Sequence, residues 1–411
     1  MLPRWILRWD WGLTAGFVVL WAAGLVFLGS AMRPLGEAGH QLLLRQLLAN
    51  GIGLGVLLAA ALLPPRFLEQ WSYALFLVML LALLAVLLRG ETAHGAQRWL
   101  TVAGVRFQPS EPAKISLIMV LAWFLGRRRQ RWDRIWPWLQ ALVIIAVPTA
   151  MILRQPDLGT ASTFPLIGIG MLVLAGLPAL LLFFLISPLV TAVLTLVWSF
   201  AIPPLAAGWA ALSAFLLARR GVNLVVVAVY FVAILGVAVS AQEAYDHLEP
   251  YQQARLKAFM DPEKDPQGAG YQVRQSKIAI GSGQWTGWGL GEGPMKKLLY
   301  LPRQHTDFIF SVVGEEGGFA ATSIITLVFA LIVLRGFQIT RRARHPFIAM
   351  TAAGTTLFFF VHTVINMGIT VGLLPVTGLP LPFFSFGGSY SITCMAAAGL
   401  LLGASFRWRE Y

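Results

Sequence analysis

Residues 71–90 read WSYALFLVMLLALLAVLLRG, and from Trp71 to Leu88 no side chain carries a charge. A helix rises 1.5 Å per residue, so roughly 20 apolar residues cover the ~30 Å of a bilayer's hydrocarbon, where unpaired backbone is not tolerated. This stretch reads as a membrane-crossing helix. Outward from it the pattern recurs near Gly12–Leu28, Leu48–Leu63, Ala113–Leu125, Trp136–Leu153, Thr160–Leu174, Leu180–Val197, Ile202–Leu217, Val222–Ser240, Asp307–Leu334, Ile348–Val371 and Ser385–Ala404. Pro148, Pro165 and Pro188 interrupt spans, which neighbouring helices tolerate by re-pairing the freed carbonyls.

Composition agrees. Of 411 residues 57% are hydrophobic and 12% charged, where a soluble domain carries about 25% charged residues. That excludes a soluble enzyme and a disordered chain, and a lone Cys394 excludes a disulfide scaffold. The expected fold is an all-α, polytopic integral membrane protein of about 12 transmembrane helices, with residues 1–411 forming one membrane domain. Arg4 and Arg8 precede the first span and Gly29-Ser30-Ala31 follows it, as in a signal peptide. Its apolar stretch outruns a usual h-region, so it reads as a retained first helix.

The formal charge of +13 (31 Lys and Arg against 18 Asp and Glu) invites a nucleic-acid reading. The cations instead alternate by loop. Arg4 and Arg8, Arg66, Arg127–Arg129 with Arg131 and Arg134, Arg219 and Arg220, Arg335 with Arg341, Arg342 and Arg344, and Arg407 with Arg409 all fall on one side of a twelve-span chain. Positive loops mark the cytoplasmic face, so a multi-pass protein of a cytoplasmic membrane with both termini inside is expected, its cations serving lipid headgroups and not nucleic acid.

Three segments escape to the opposite face: Arg89 to about Pro112, the turn Arg154-Gln155-Pro156-Asp157, and the extracytoplasmic loop 241–306. A long polar loop without a span of its own is usually functional. Pro250–Met260 has the spacing of an interfacial amphipathic helix, two Asp-Pro steps follow (Asp261-Pro262, Asp265-Pro266), and Tyr271–Ile280 is again helical. Glycines 281, 283, 287, 289, 291 and 293 interleave with Trp285 and Trp288. No strand precedes that run and no Lys-Ser/Thr closes it, so a turn-rich loop competes with a phosphate cradle. The six histidines form no zinc motif.

Acids and cations gather on this outer side. Asp265, Asp157 and Glu111 lie at or near span ends, with Arg98, Lys114, Lys277 and Lys296 as outward cations. Ionisable groups at membrane depth are costly, so Glu111, Lys114 and Asp157 should pair or line a watery cavity, and at least one of Glu315 and Glu316 should do the same. Either this is a structural ion-pair network, or it holds an anionic headgroup and keeps one carboxylate for proton transfer. Asp265 alternatively caps the following helix and Lys114 alternatively anchors a helix start. Trp99 is a sugar platform or part of the interfacial belt; Gln275, Ser276 and His305 orient a ligand or satisfy loop backbone.

GAQRWL (95–100), FQPSEPAK (107–114), QPDLGT (155–160), DPQGAGYQVRQSKIAIGSG (265–283), LPRQHTDFIFSVVGEEGGF (301–319) and INMGITVGLLPVTGLPLPFFSFGGS (365–389) resemble, in order, the signature set of the SEDS family (shape, elongation, division and sporulation). QSKIAIGSG and INMG are similar to its elongation branch, of RodA type. The resemblance implies a peptidoglycan glycosyltransferase that polymerises lipid II into glycan strands at the outer face of the bacterial cytoplasmic membrane, beside a class B penicillin-binding protein that cross-links them. It places the catalytic carboxylate in a DPxGxGY motif, here at Asp265. Members usually have about ten spans; 177–240 here has room for three where one is expected, an added pair that keeps the parity. Arg303 stands where many members have Glu.

The donor's anomeric bond is α and the glycan bond β, so inversion implies one in-line displacement with one base and no covalent intermediate, by analogy with inverting glycosidases. Asp265 is the expected base for the acceptor hydroxyl. Arg98, Lys114 and Lys277 are the expected diphosphate holders, and a divalent cation (Mg or Mn) is an alternative carrier of that charge. The rivals are a lipid II flippase, for which internal repeats and a midplane site would speak, and a scaffold that recruits a transpeptidase.

Overall fold

The structure is a computed structural model that describes residues 9–93, 96–102, 105–127, 135–197, 203–219, 221, 223–247, 250–260, 268–301 and 304–407. Outside the described residues lie Asp265 and Arg303, both Asp-Pro steps, and Arg4, Arg8, Arg128, Arg129, Arg131, Arg134, Arg220 and Arg409.

Twelve helices of 17 to 34 residues stand among the described residues, one for each expected span. They are α1 (Trp11–Met32), α2 (Gly36–Leu62), α3 (Pro65–Arg89), α4 (Ser110–Arg127), α5 (Ile135–Leu153), α6 (Leu158–Leu174), α7 (Ala179–Val197), α8 (Pro203–Arg219), α9 (Leu224–Asp246), α13 (Ile309–Arg342), α14 (Pro346–Thr370) and α15 (Gly388–Arg407). Between α9 and α13 lie three shorter helices: α10 (Pro250–Met260), α11 (Ala269–Ser282) and α12 (Pro294–Lys297). By length and hydropathy alone, Trp11–Leu62, Pro65–Arg89, Ile309–Arg342, Pro346–Thr370 and Gly388–Arg407 are long and apolar enough to cross a membrane, and shorter apolar helices complete a polytopic bundle.

The structure differs from an all-helical reading between α3 and α4. There β1 (Glu91–Ala93), β2 (Ala96–Val102) and β3 (Val105–Phe107) form an antiparallel sheet in that order, with Glu91 opposite Trp99 and Leu100 opposite Phe107. The pattern is too short to stand out as strands, and pairing with neighbours supplies what local sequence does not.

Burial sorts the helices. In α14 and α15 roughly four-fifths of the apolar stretch is enclosed, whereas α3 turns Leu77, Val78, Leu81 and Leu88 outward, as a lipid-facing helix should. Helix α14 packs on α4, α6 and α13, and α15 packs on α2. The α2–α15 seam relies on small residues. A Cβ on Gly399 would collide with the Leu57 carbonyl, and one on Gly53 would lie 2.9 Å from Met395 Cγ. Region 177–240 contains α7, α8 and α9. They pack on one another around Ala210, Leu217, Val227, Tyr230 and Ile234, and α7 leans on the main core through Leu181, Leu182 and Leu185.

Candidate functional site

One end of the bundle carries the sheet and α10–α12, and a cleft of about 450 Å³ opens there. Of the residues singled out in the sequence, Arg98, Trp99, Glu111, Asp157 and His305 line it. Sequence reasoning missed Gln108, Thr160, Arg255, Thr306, Asp307, Ser389 and Tyr390, which also line it.

Asp157 is placed by helix chemistry. It is the N-cap of α6, its Oδ1 accepting from Thr160 N at 3.1 Å, and its Oδ2 lies 3.3 Å from Arg98 Nε. That approach is an ion pair without hydrogen-bond alignment; the aligned bond of Arg98 runs from Nη2 to the Pro156 carbonyl at 3.1 Å. The strand β2 thus holds a guanidinium on the cleft wall against the turn before α6.

Glu111 and Lys114 sit one turn apart at the start of α4. The Lys114 ammonium is fully buried and gives two hydrogen bonds to the Glu111 carboxylate, at 2.9 and 3.1 Å. Its third close partner is His362 Nε2, at 3.2 Å. Glu111 lines the cleft and Lys114 does not, so Lys114 stands behind the carboxylate and not beside an incoming anion.

Gln275, Ser276 and Lys277 on α11 do not line the cleft either. The Ser276 hydroxyl bonds Ser311 Oγ and the Thr370 carbonyl, both at 2.6 Å, which ties α11 to α13 and α14. Lys277 is exposed beside Gly372.

The segment 305–307 is held from below. Asn366 donates to the Asp307 carbonyl at 2.9 Å and to the Leu379 carbonyl at 2.8 Å. Ser385 Oγ donates to the Thr306 carbonyl at 2.6 Å, and Phe386 N to the His305 carbonyl at 2.8 Å. Backbone bonds thus fix where the His305 and Asp307 side chains emerge.

The glycine run is neither a phosphate cradle nor a free loop. Helix α13 is broken at Gly318 (φ 62°, ψ −164°), and the run pairs with the opened backbone: Trp288 N to Glu315 O at 3.0 Å, Gly289 N to Glu316 O at 2.9 Å, and Phe319 N to Gln284 O at 2.7 Å. Trp285 meets Phe319 edge to face at 5.1 Å. Glu315 accepts from Met295 N at 2.6 Å at the start of α12, and the Lys296 ammonium bonds Glu316, so both span acids are paired. Away from the spans, a hydrogen bond from Lys297 holds the Glu292 carboxyl below its ordinary range. Gly287 combines a φ of +76° with a Cβ position that collides with the Glu316 carbonyl. Gly287→Ala is therefore expected to destabilise the protein by about 1–3 kcal/mol, read as a lowered midpoint of thermal unfolding in detergent.

Among the described residues, no group of three or more His, Cys, Asp and Glu is placed to hold a metal ion. Glu111 is engaged by Lys114, and Asp157 by Arg98 and Thr160 N, so these donors do not fit a shared divalent cation.

Comparison with known proteins adds to the geometry. The family described as cell cycle protein, FTSW_RODA_SPOVE, matches residues 10–207 and 206–410. Peptidoglycan glycosyltransferase MrdB of Escherichia coli (strain K12) is 35% identical over 389 residues, covering 94% of this chain and 88% of its own. A chain in a structure described as coordination of polymerization and crosslinking by a peptidoglycan synthase complex superposes with a TM-score of 0.73 at 26% identity, over 98% of this chain and 99% of that one. The rod shape determining protein RodA of Thermus thermophilus superposes with a TM-score of 0.64 at 25% identity, over 99% of both chains.

Proposed function

Because this chain belongs to the FtsW/RodA/SpoVE family, also called SEDS, we propose that its cleft is the glycosyl-transfer site of a peptidoglycan glycosyltransferase. The protein is a multi-pass inner-membrane enzyme most like RodA, and it acts in peptidoglycan polymerisation during cell elongation. Its substrate is read as lipid II and its product as a glycan strand. A class B penicillin-binding protein is the partner suggested by the synthase complex. The arginine-rich loops of the sequence support termini in the cytoplasm, and with that orientation the cleft faces outward.

The observation that carries the reading is convergence. Arg98, Glu111, Asp157, His305 and Asp307 come from segments far apart in sequence and meet in one cleft. Helix α10, which lends Arg255, ends five residues before Asp265. In the reaction the acceptor's 4-hydroxyl attacks the anomeric carbon, its proton passes to Asp265, and the lipid diphosphate departs. Arg98 and Arg255 are the cations on the cleft wall among the described residues, and they replace Lys114 and Lys277 as the groups suited to the departing charge. Trp99 and Phe386 offer aromatic faces for sugar rings.

The test is purified protein with lipid II, with and without a class B penicillin-binding protein. Glycan polymer separated by size is the expected product. Movement of lipid II across a vesicle membrane without polymer would establish a flippase instead. Polymer formation that survives every cleft substitution would move the chemistry elsewhere.

A further inference from the structure

His362 lies in the second half of α14, fully enclosed, between the rings of Phe358 and Tyr390 at 4.6 and 5.2 Å. An ammonium has three N–H donors and no acceptor. The Lys114 ammonium gives two to Glu111, and its third points at His362 Nε2 at 3.2 Å. That nitrogen must offer its lone pair, so the ring proton is assigned to Nδ1. Nδ1 in turn faces Tyr390 OH at 3.2 Å and the Pro380 carbonyl at 3.4 Å, while Tyr390 OH donates to Pro380 O at 2.9 Å. Glu111, Pro380 and Tyr390 all line the cleft. One neutral imidazole therefore links the wall made by α4 to the wall made by the loop after α14.

We propose that His362 is a positioning residue for glycosyl transfer: by accepting from the Lys114 ammonium and donating toward Tyr390 and Pro380, it fixes the Glu111 carboxylate on the cleft wall. A leucine or phenylalanine would fill the same apolar slot between two rings, so packing alone does not call for a histidine here. Leaving Lys114 one partner short inside the bundle frees it to pull Glu111 away from the cleft. The proposal rests on the cleft being the transferase site.

The experiment measures kcat and KM for lipid II polymerisation in His362→Leu, His362→Gln, Glu111→Gln and the double variant His362→Leu/Glu111→Gln. The expected result for His362→Leu is a fall in kcat of about 10- to 100-fold with little change in KM, the scale of a lost supporting contact. His362→Gln keeps an acceptor for the ammonium and should recover most of that loss. In the Glu111→Gln background the leucine should cost almost nothing further, because both changes act through one carboxylate. Should His362→Leu fail to fold, His362→Met, also without an acceptor, serves in its place. A lowered kcat in Glu111→Gln beside an unchanged one in His362→Leu would overturn the positioning role alone. Additive losses in the double variant, or a glutamine as damaging as the leucine, would overturn it too. An unchanged Glu111→Gln would overturn the positioning role at the carboxylate, whereas full activity in Arg98→Ala and Arg255→Ala as well would instead overturn the cleft as the site.

Discussion

Asp265→Asn is expected to slow glycan polymerisation by about 10²–10⁴-fold, with thermal unfolding of the purified protein unchanged. As the new glycosidic bond forms, the attacking hydroxyl becomes strongly acidic and its proton needs an acceptor. A carboxylate takes it; an amide of the same shape cannot. With an ordinary carboxylate pKa near ~3.9, an aspartate is a weak base at neutral pH, so transfer comes late, when the bond is nearly made. The departing diphosphate needs no acid, so one base suffices for the inversion. Pro266 follows Asp265 in the sequence, and a residue before proline is biased away from helical backbone. The check is a time course of polymer from labelled lipid II. More than a tenth of the rate surviving in the asparagine variant would place the base elsewhere, with Asp307 the next carboxylate on the cleft wall. A change confined to KM would make Asp265 a binding residue.

What could be read in the sequence is governed by how local the cause is. Span positions follow from uninterrupted apolar runs, and α3 ends where Arg89 and Gly90 stop the run. That Glu111, Lys114 and Asp157 should pair or line a watery cavity follows from the cost of charge at membrane depth, and the structure pairs Glu111 with Lys114 and Asp157 with Arg98. The failures are tertiary. Lys114 read as an outward cation because its partner His362 lies 248 residues away. Ser276 read as orienting a ligand or satisfying loop backbone, because its partners lie on other helices. Yet 269, 273, 276 and 280 share one helical face, and the Ser276 hydroxyl on that face packs against α13 and α14. Arg255 sits on a helix that reads as merely interfacial, and its place on the cleft depends on how α10 folds back. Asp307 and Tyr390 belong to motifs already in view, LPRQHTDF and FFSFGGS with the residue after it. What was missing was the bonding by Asn366 and Ser385 that gathers those strands of chain.

Lys296→Met is expected to cost about 3–5 kcal/mol of stability, whereas Lys296→Met with Glu316→Gln should restore much of it. Both side chains are about 1–2% exposed at the break in α13. The lysine bonds Glu316 and gives a second bond to Ser30 Oγ at 2.8 Å, and Ser30 bonds the same carboxylate at 2.8 Å. Gly291 N adds a bond to that oxygen at 3.1 Å. Taking away the cation leaves a carboxylate enclosed in protein at membrane depth, where water cannot replace the lost partner. Removing both charges leaves an amide that still accepts from Ser30 and Gly291, so the burial penalty disappears with the charge. The same cluster joins α1 to α12 and to the broken α13, and the chain then runs into His305 and Asp307. The single variant should therefore lose polymerisation as well as stability, and the double variant should regain both together. Thermal unfolding in detergent, read beside polymer yield, tests this. A single variant as stable as the parent would mean that Lys296 is not what neutralises Glu316. A double variant that regains stability without activity would separate the cluster from the cleft.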